Sequence, residues 1–348
     1  MILISYNNLI TFVQKILNKA GLDSFSSNVV TLCLCETSLR GVDTHGVRLL
    51  HHYVKSALSG RKNPKPTFKF SKNFSALGIL DADNAFGHAA GMKAIEHCID
   101  LANDSGVGIV SVKNSSHSGA MASIALQAAR KGFITFALTH SDPFLLTPNG
   151  QRPYFGTNPI CVAVPREEKE PYCLDMSMSM ISWNKVLLCK SKGEDLPNNA
   201  VADINGDITT DPEKAAFLIP AGTYKGFGLA SIVEILCGVF TGMNFGRDIP
   251  GMYTSSMEKP RQIGQFFMLI RSDGCLDQKQ FLKRMQEMTN QVRNEPSKTG
   301  GEIILPGDRA IKIASQRKKE GIPIDIDTFK ELNILSKDFN VSFDTIDT

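Results

Sequence analysis

The chain has 348 residues, 42% of them apolar and 21% charged, which is ample material for the core of a protein of roughly two domains. A net charge of +3 gives no argument for nucleic acid or a membrane surface as partner. No apolar run approaches the roughly 18 residues that a spanning helix needs. The start, Met1-Ile2-Leu3-Ile4-Ser5, lacks the basic region and long apolar stretch of a secretion signal.

The eight cysteines are scattered from Cys33 to Cys275 with no C-x-x-C spacing, as expected of a reduced, cytoplasmic protein. All seven histidines fall between His45 and His140, so a His-based site confined to the C-terminal part is excluded. No metal site is expected.

In chain order, Leu9, Phe12, Val13, Ile16 and Leu17 repeat at helical spacing up to Gly21. A second run from Val29 to Leu39 ends at Gly41, and a third from His45 to Leu58 ends at Gly60. Asn63-Pro64-Lys65-Pro66 breaks the helical pattern. Beyond it come a strand at Leu77–Leu80, a helix around Ala89–Leu101, and strands at Val107–Val112 and Phe133–Thr139. Further strands are predicted at Ile160–Val164, Tyr172–Leu174, Phe266–Ile270 and Glu302–Leu305, with a hairpin at Asn205-Gly206. Helices are predicted at Tyr224–Gly242, Gln278–Val292, from Asp308 to Lys319, and at Ile326–Leu335. The pattern is α/β, a mixed sheet flanked by helices, with a discontinuous all-helical domain from the two chain ends. Its boundaries are 1–74 and 301–348 for the helical parts and 75–300 for the α/β part.

The stretch with the most chemistry is Lys113-Asn114-Ser115-Ser116-His117-Ser118-Gly119-Ala120, where the strand period gives way to a helical one. Ser118 reads as the N-cap, so His117 falls between a strand's carboxyl end and a helix's amino end, the edge where open α/β sheets bind ligands. A helix amino terminus disfavours a charged imidazole, leaving it ready to accept a proton. The next strand ends in His140-Ser141-Asp142. If the two strands are neighbours, Asp142 reaches the same edge and orients His117; the alternative is a cap histidine and a turn aspartate. Upstream, Arg40 to Arg48 packs Asp43, Thr44, His45 and Arg48 into one helix connection, either as part of a site or as caps and solvated side chains.

There is no G-x-G-x-x-G, no P-loop and no H-E-x-x-H. Several motifs nonetheless occur together: Arg40–Gly46, Asp81-Ala82-Asp83-Asn84, Gly156-Thr157-Asn158-Pro159, Asp175-Met176-Ser177, Lys225-Gly226-Phe227-Gly228 and Leu305-Pro306-Gly307. On these the chain resembles, nearly end to end, the malate/L-lactate dehydrogenase family, which binds NAD without a Rossmann fold. Tyr154–Pro159, Trp183-Asn184-Lys185-Val186 and Phe245-Gly246-Arg247 narrow the resemblance to a branch acting on a ureido-substituted 2-hydroxy acid.

The resemblance implies that His117 is the acid/base for the substrate hydroxyl, with Asp142 supporting it. It implies that Arg48 clamps the substrate carboxylate and that Thr44 and His45 line the pocket, some relatives assigning the catalytic histidine to the His45 position. It puts cofactor contacts at Ser141, Asp175, Met176, Ser177, Lys225, Pro306, Gly307 and Asp308, the cofactor being NAD with NADP left open. A small-molecule 2-hydroxy acid and a homodimer are the implied partners. The chain departs from the family at Arg48, three residues after His45 where several relatives have four, at Asn184 in place of the usual Gly, and in a shorter tail. A Ser116-His117-Asp142 hydrolase is the rival from another class, disfavoured because no G-x-S-x-G elbow exists. A sister dehydrogenase of the same family acting on malate, L-lactate or sulfolactate is the nearer rival, and a catalytically silent NAD-binding protein the remaining one.

Overall fold

A computed structural model of the chain describes residues 2–167 and 170–346. Met1, part of the start read above, and the last two residues of the C-terminal segment lie outside them. The chain opens with β1 (Ile2–Ile4), α1 (Tyr6–Lys19), α2 (Ser24–Leu39) and α3 (Leu50–Leu58). Ser5 and Asp23 start the first two helices by accepting the Asn8 and Ser26 amides. Beyond their ends the chain turns at Gly21 and Gly41, both at positive φ. The third run does not begin as an α-helix at His45. Residues 43–45 and 47–49 are separate 3-10 turns about Gly46. There a Cβ would strike the Ser38 side chain, whose Oγ accepts the Val47 amide at 3.0 Å. That close approach breaks the helix and turns residues 43–48 out as a loop.

The middle of the chain builds two sheets. Its elements are β2 (Lys69–Phe74), β3 (Leu77–Asp81), α4 (Gly87–Ser105), β4 (Val107–Ser115), α5 (Ala122–Ala129), β5 (Phe133–Thr139), β6 (Leu145–Leu146), β7 (Pro153–Phe155), β8 (Ile160–Val164) and β9 (Tyr172–Met176). Then follow α6 (Trp183–Lys192), β10 (Val201–Ala202), β11 (Ile208–Thr209), β12 (Phe217–Leu218), α7 (Tyr224–Glu234), β13 (Ile263–Arg271) and α8 (Gln278–Arg293). The chain closes with α9 (Asp308–Glu320), β14 (Ile322–Ile324) and α10 (Ile326–Phe339).

The larger sheet runs β2-β3-β4-β13-β5-β8-β9. β3 and β4 are parallel, joined across α4, and the remaining pairs are antiparallel. One expectation is corrected here: β4 and β5 are not neighbours. β13 returns from far along the chain and pairs with both, Phe266 lying opposite Ser111 on one side and Leu138 on the other. β2, assigned from sequence to the helical part, is a polar edge strand of this sheet. A second sheet, β11-β10-β12-β6-β7, contains the predicted hairpin, with Gly206 at φ 90°. Its core gathers Leu145, Met178, Val186, Leu196 and Leu218.

The two chain ends do pack together: Leu9, Phe12, Leu34, Leu50, Tyr53, Leu332 and Leu335 share one core. They are not wholly helical, because β1 and β14 pair antiparallel, Leu3 opposite Pro323. Glu302–Leu305 is irregular rather than a strand; the Leu305 amide donates to Asp308 (3.2 Å) and leads into α9. The predicted helix 224–242 is α-helical to Glu234 and continues as a π turn, Ile235–Val239. No described helix is long and apolar enough to cross a membrane.

Candidate active site

His117 lies in the loop between β4 and α5, as the change of period predicts, but the details differ. Ser118 does not cap α5. Its Oγ is bonded to Gln265 and to the Ser116 carbonyl, and α5 is capped from β9, where Asp175 Oδ2 accepts the Ala122 amide at 2.8 Å. Gly119, at φ 65°, turns the loop; a Cβ there would sit 2.6 Å from His88 Nε2. This tight turn brings the Gly119 N–H to 3.4 Å from His117 Nδ1. The stronger partner of Nδ1 is the Tyr53 hydroxyl at 2.7 Å. The His45 ring stacks on His117 at 5.8 Å between centroids, and Thr44 Oγ1 lies 2.8 Å from His45 Nδ1.

Asp142 does not pair with His117. Its carboxylate meets the Arg261 guanidinium and accepts the Met252 amide at 3.2 Å. The inserted β13 is the reason. It separates β4 from β5 by two strand spacings, about 10 Å, and its lead-in carries Arg261 to Asp142. Ser116, the nucleophile of the hydrolase reading, is buried with its hydroxyl donated to the Ala85 carbonyl at 2.8 Å.

The electrostatics favour neutral imidazoles. His117 is held well below its ordinary pKa by burial first, then by the charges of His45, Lys62, Arg261 and His88. Burial lowers His45 likewise. His52 is lowered to about 3 by burial and by Lys62, Arg61, Arg261 and His51. Among the described residues no carboxylate offsets these effects at His117.

A cleft of about 900 Å³ opens at this edge. Thr44, His45, Arg48, His117 and Asp142 line it, and so do Ser141, Asp175, Met176 and Ser177. Ser141 is braced by Asn158, whose Oδ1 accepts its amide at 3.1 Å and whose Nδ2 is bonded to buried Glu234. Arg48 stands exposed at the rim, while the position four after His45 is Leu49, buried in the core. A smaller cleft of about 420 Å³ shares Val42, Thr44, Ala120 and Asp175 with the first, and Gly307 and Arg309 line its far side.

The other predicted positions lie apart from the main cleft. Lys225 is exposed on the first turn of α7, just after Ala221, whose amide donates to the Met178 carbonyl at 2.8 Å. Pro306 accepts the Cys173 amide at 3.3 Å, which sets the 306–307 turn against β9. The Asp308 carboxylate is committed to Arg293 at 2.9 Å and Arg166 at 3.3 Å. Sequence reasoning missed Tyr53, His52, Arg261, Met252 and Tyr253. Tyr53 had one signal: it sits in the apolar stripe of the third run, and a buried tyrosine needs a partner for its hydroxyl.

The cleft is thus lined by a histidine at the edge of a mixed sheet, in a chain that carries no dinucleotide fingerprint. The family model described as malate/L-lactate dehydrogenase matches residues 4–333. The chain is 32% identical to the malate dehydrogenase of Pyrococcus abyssi, covering 95% of this chain and 93% of the relative. It is also 32% identical to the NAD(+) ureidoglycolate dehydrogenase of Escherichia coli K12, covering 98% of both. The solved sulfolactate dehydrogenase of Methanocaldococcus jannaschii superimposes with a TM-score of 0.91 at 28% identity, over 98% of both chains. The chain therefore belongs to the malate/L-lactate dehydrogenase family, and it is a hydroxy-acid oxidoreductase.

Proposed function

We propose that the protein uses NAD to oxidise a small 2-hydroxy acid, (S)-ureidoglycolate to oxalurate, with His117 as the acid/base. The observation that carries this reading is a neutral imidazole lining the cleft with Nδ1 bonded inside the protein and no described partner on Nε2. Alcohol oxidation needs such a base within hydrogen-bond reach of the hydroxyl.

The residues present fit a dinucleotide. The two clefts, which share lining residues, offer hydroxyls and a carboxylate at Ser141, Ser177 and Asp175, and apolar surface at Met121, Phe144, Met176 and Trp183. Ser141, Asp175, Met176 and Ser177 would hold the cofactor, with Gly307 and Lys225 nearer its ends. When bound, NAD supplies the hydride acceptor. His117 Nε2 takes the hydroxyl proton, and stacking on His45 keeps the imidazole in plane. Arg48 meets the substrate carboxylate from the rim, and Asp142, fixed by Arg261, shapes the floor.

Support for ureidoglycolate comes from the branch motifs at Tyr154–Pro159 and Trp183–Val186 and from the ureidoglycolate dehydrogenase that is 32% identical, an identity the Pyrococcus abyssi malate dehydrogenase equals. One observation favours a second reading, malate or sulfolactate. Lys55 lines the cleft with Arg48, and this pair of cations suits a second anionic group better than an uncharged ureido group. NADH formation across (S)-ureidoglycolate, L-malate, L-lactate and L-sulfolactate decides. A kcat/KM highest for ureidoglycolate is expected, and a higher value for malate or sulfolactate would transfer the assignment.

A homodimer is part of the proposal. It is supported by the exposed apolar side chains Leu229, Ile232, Ile235, Val239 and Phe240 along α7 and its π turn. A cytoplasmic location is supported by eight free cysteines.

A further inference from the structure

We propose that Tyr53 is a positioning residue that selects the proton-accepting tautomer of His117; the inference rests on His117 being the acid/base. For Nε2 to accept a proton, its lone pair must be free, so Nδ1 must carry the hydrogen and donate it. Two groups lie within reach of Nδ1. The Gly119 N–H, at 3.4 Å, donates toward Nδ1 and by itself favours hydrogen on Nε2. The Tyr53 hydroxyl, at 2.7 Å, is the shorter contact, and its oxygen can accept from an Nδ1–H. Without that oxygen, the described group left facing Nδ1 is the Gly119 N–H. The imidazole then turns to the Nε2–H form, which has no lone pair for the substrate proton. In a histidine site the wrong tautomer costs activity even when the geometry is intact.

The hydroxyl is held in place from every side. Tyr53 is fully buried. Lys62 Nζ sits 3.7 Å over one face of its ring, Phe86 meets it edge-on at 5.9 Å and His88 at 5.5 Å. Lys62 is itself buried, and its Nζ has no hydrogen-bond partner among the described residues. This packing makes Lys62 a wedge that prevents the tyrosine from swinging away. The charged and titratable groups facing the imidazole are His45, His88, Lys62 and Arg261. A carboxylate at Nδ1 would fix one tautomer by charge; here an uncharged hydroxyl does it by accepting.

The test is Tyr53→Phe, which keeps the ring between Lys62 and Phe86. Imidazole nitrogen NMR should show Nδ1-protonated His117 in the wild type and the Nε2-protonated form in Tyr53→Phe. Turnover should fall by roughly one to two orders of magnitude, less than the full general-base contribution, with KM for NAD unchanged. In a His117→Ala background, the same tyrosine change should have no further effect. An Nε2–H tautomer already dominant in the wild type overturns the proposal. So does wild-type turnover in Tyr53→Phe, or an equal loss in the His117→Ala background. If no 2-hydroxy acid is turned over, the functional reading fails while the NMR comparison still decides the role of Tyr53.

Discussion

Arg261 and Asp142, 119 residues apart in the chain, form an ion pair across the strand boundary beneath the cleft. The guanidinium is 2% exposed and the carboxylate 23%. The pair pins the lead-in of β13 to the end of β5, so its first effect is on stability. Breaking it on one side leaves a charge in a poorly solvated place. Arg261→Met should lower unfolding free energy by about 2 to 3 kcal/mol, less than a fully buried pair because Asp142 is partly solvated. Urea unfolding checks this. An unchanged midpoint would show the pair to be energetically idle. Because Asp142 does not touch His117, Asp142→Asn should leave the acidic limb of the pH–rate profile where it is; a displaced limb would restore the dyad.

The pH dependence of oxidation should follow His117. Its pKa is depressed by burial and by neighbouring cations, so it is already the neutral base at pH 7. The sign is then fixed: the base is lost only as pH falls through the depressed value. The acidic limb of kcat/KM should therefore lie well below the ordinary histidine range near 6.5. The reverse reaction needs the imidazolium, which this site disfavours, and should weaken as pH rises. An oxidation limb at the ordinary histidine value would mean that the surrounding charges do not reach the ring.

Stability should respond to acid in the same range. His88 is 1% exposed and lowered to about 3, by burial first and then by Lys62 and His45. Below its ordinary pKa the unfolded chain takes up a proton that the folded chain refuses, so stability is lost as pH falls. Each such histidine contributes a slope of about 1.4 kcal/mol per pH unit inside that window. His88→Leu should reduce the slope of unfolding free energy against pH between about pH 6 and pH 4. A slope equal to wild type would place the titration elsewhere.

The local features were legible in the sequence and the long-range ones were not. His117 was found because a period of two gives way to a helical period around it, and Gly21, Gly41 and Gly206 marked turns for the same local reason. The cap of α5 comes from Asp175, 53 residues on, and nothing near Ser118 signals it. The partner of Asp142 depends on β13 entering between two consecutive strands, a pairing that no local pattern encodes. Tyr53 hid because an apolar helical stripe tolerates tyrosine, and its hydroxyl is informative only once α3 is set against the 116–121 loop. The clamp at Arg48 comes from the resemblance alone; Gly46 and the 3-10 turns, which set Arg48 exposed at the rim and Leu49 in the core, have no local signal that fixes them.

The central claim is that His117 takes the substrate proton during NAD-dependent oxidation of a 2-hydroxy acid. The most direct measurement compares wild type and His117→Ala for NADH formation from the preferred 2-hydroxy acid, alongside NAD affinity measured by calorimetry. Turnover should drop by roughly two to four orders of magnitude while NAD affinity is retained. A His117→Ala enzyme that turns over like the wild type, or one that loses NAD binding instead, would contradict the account.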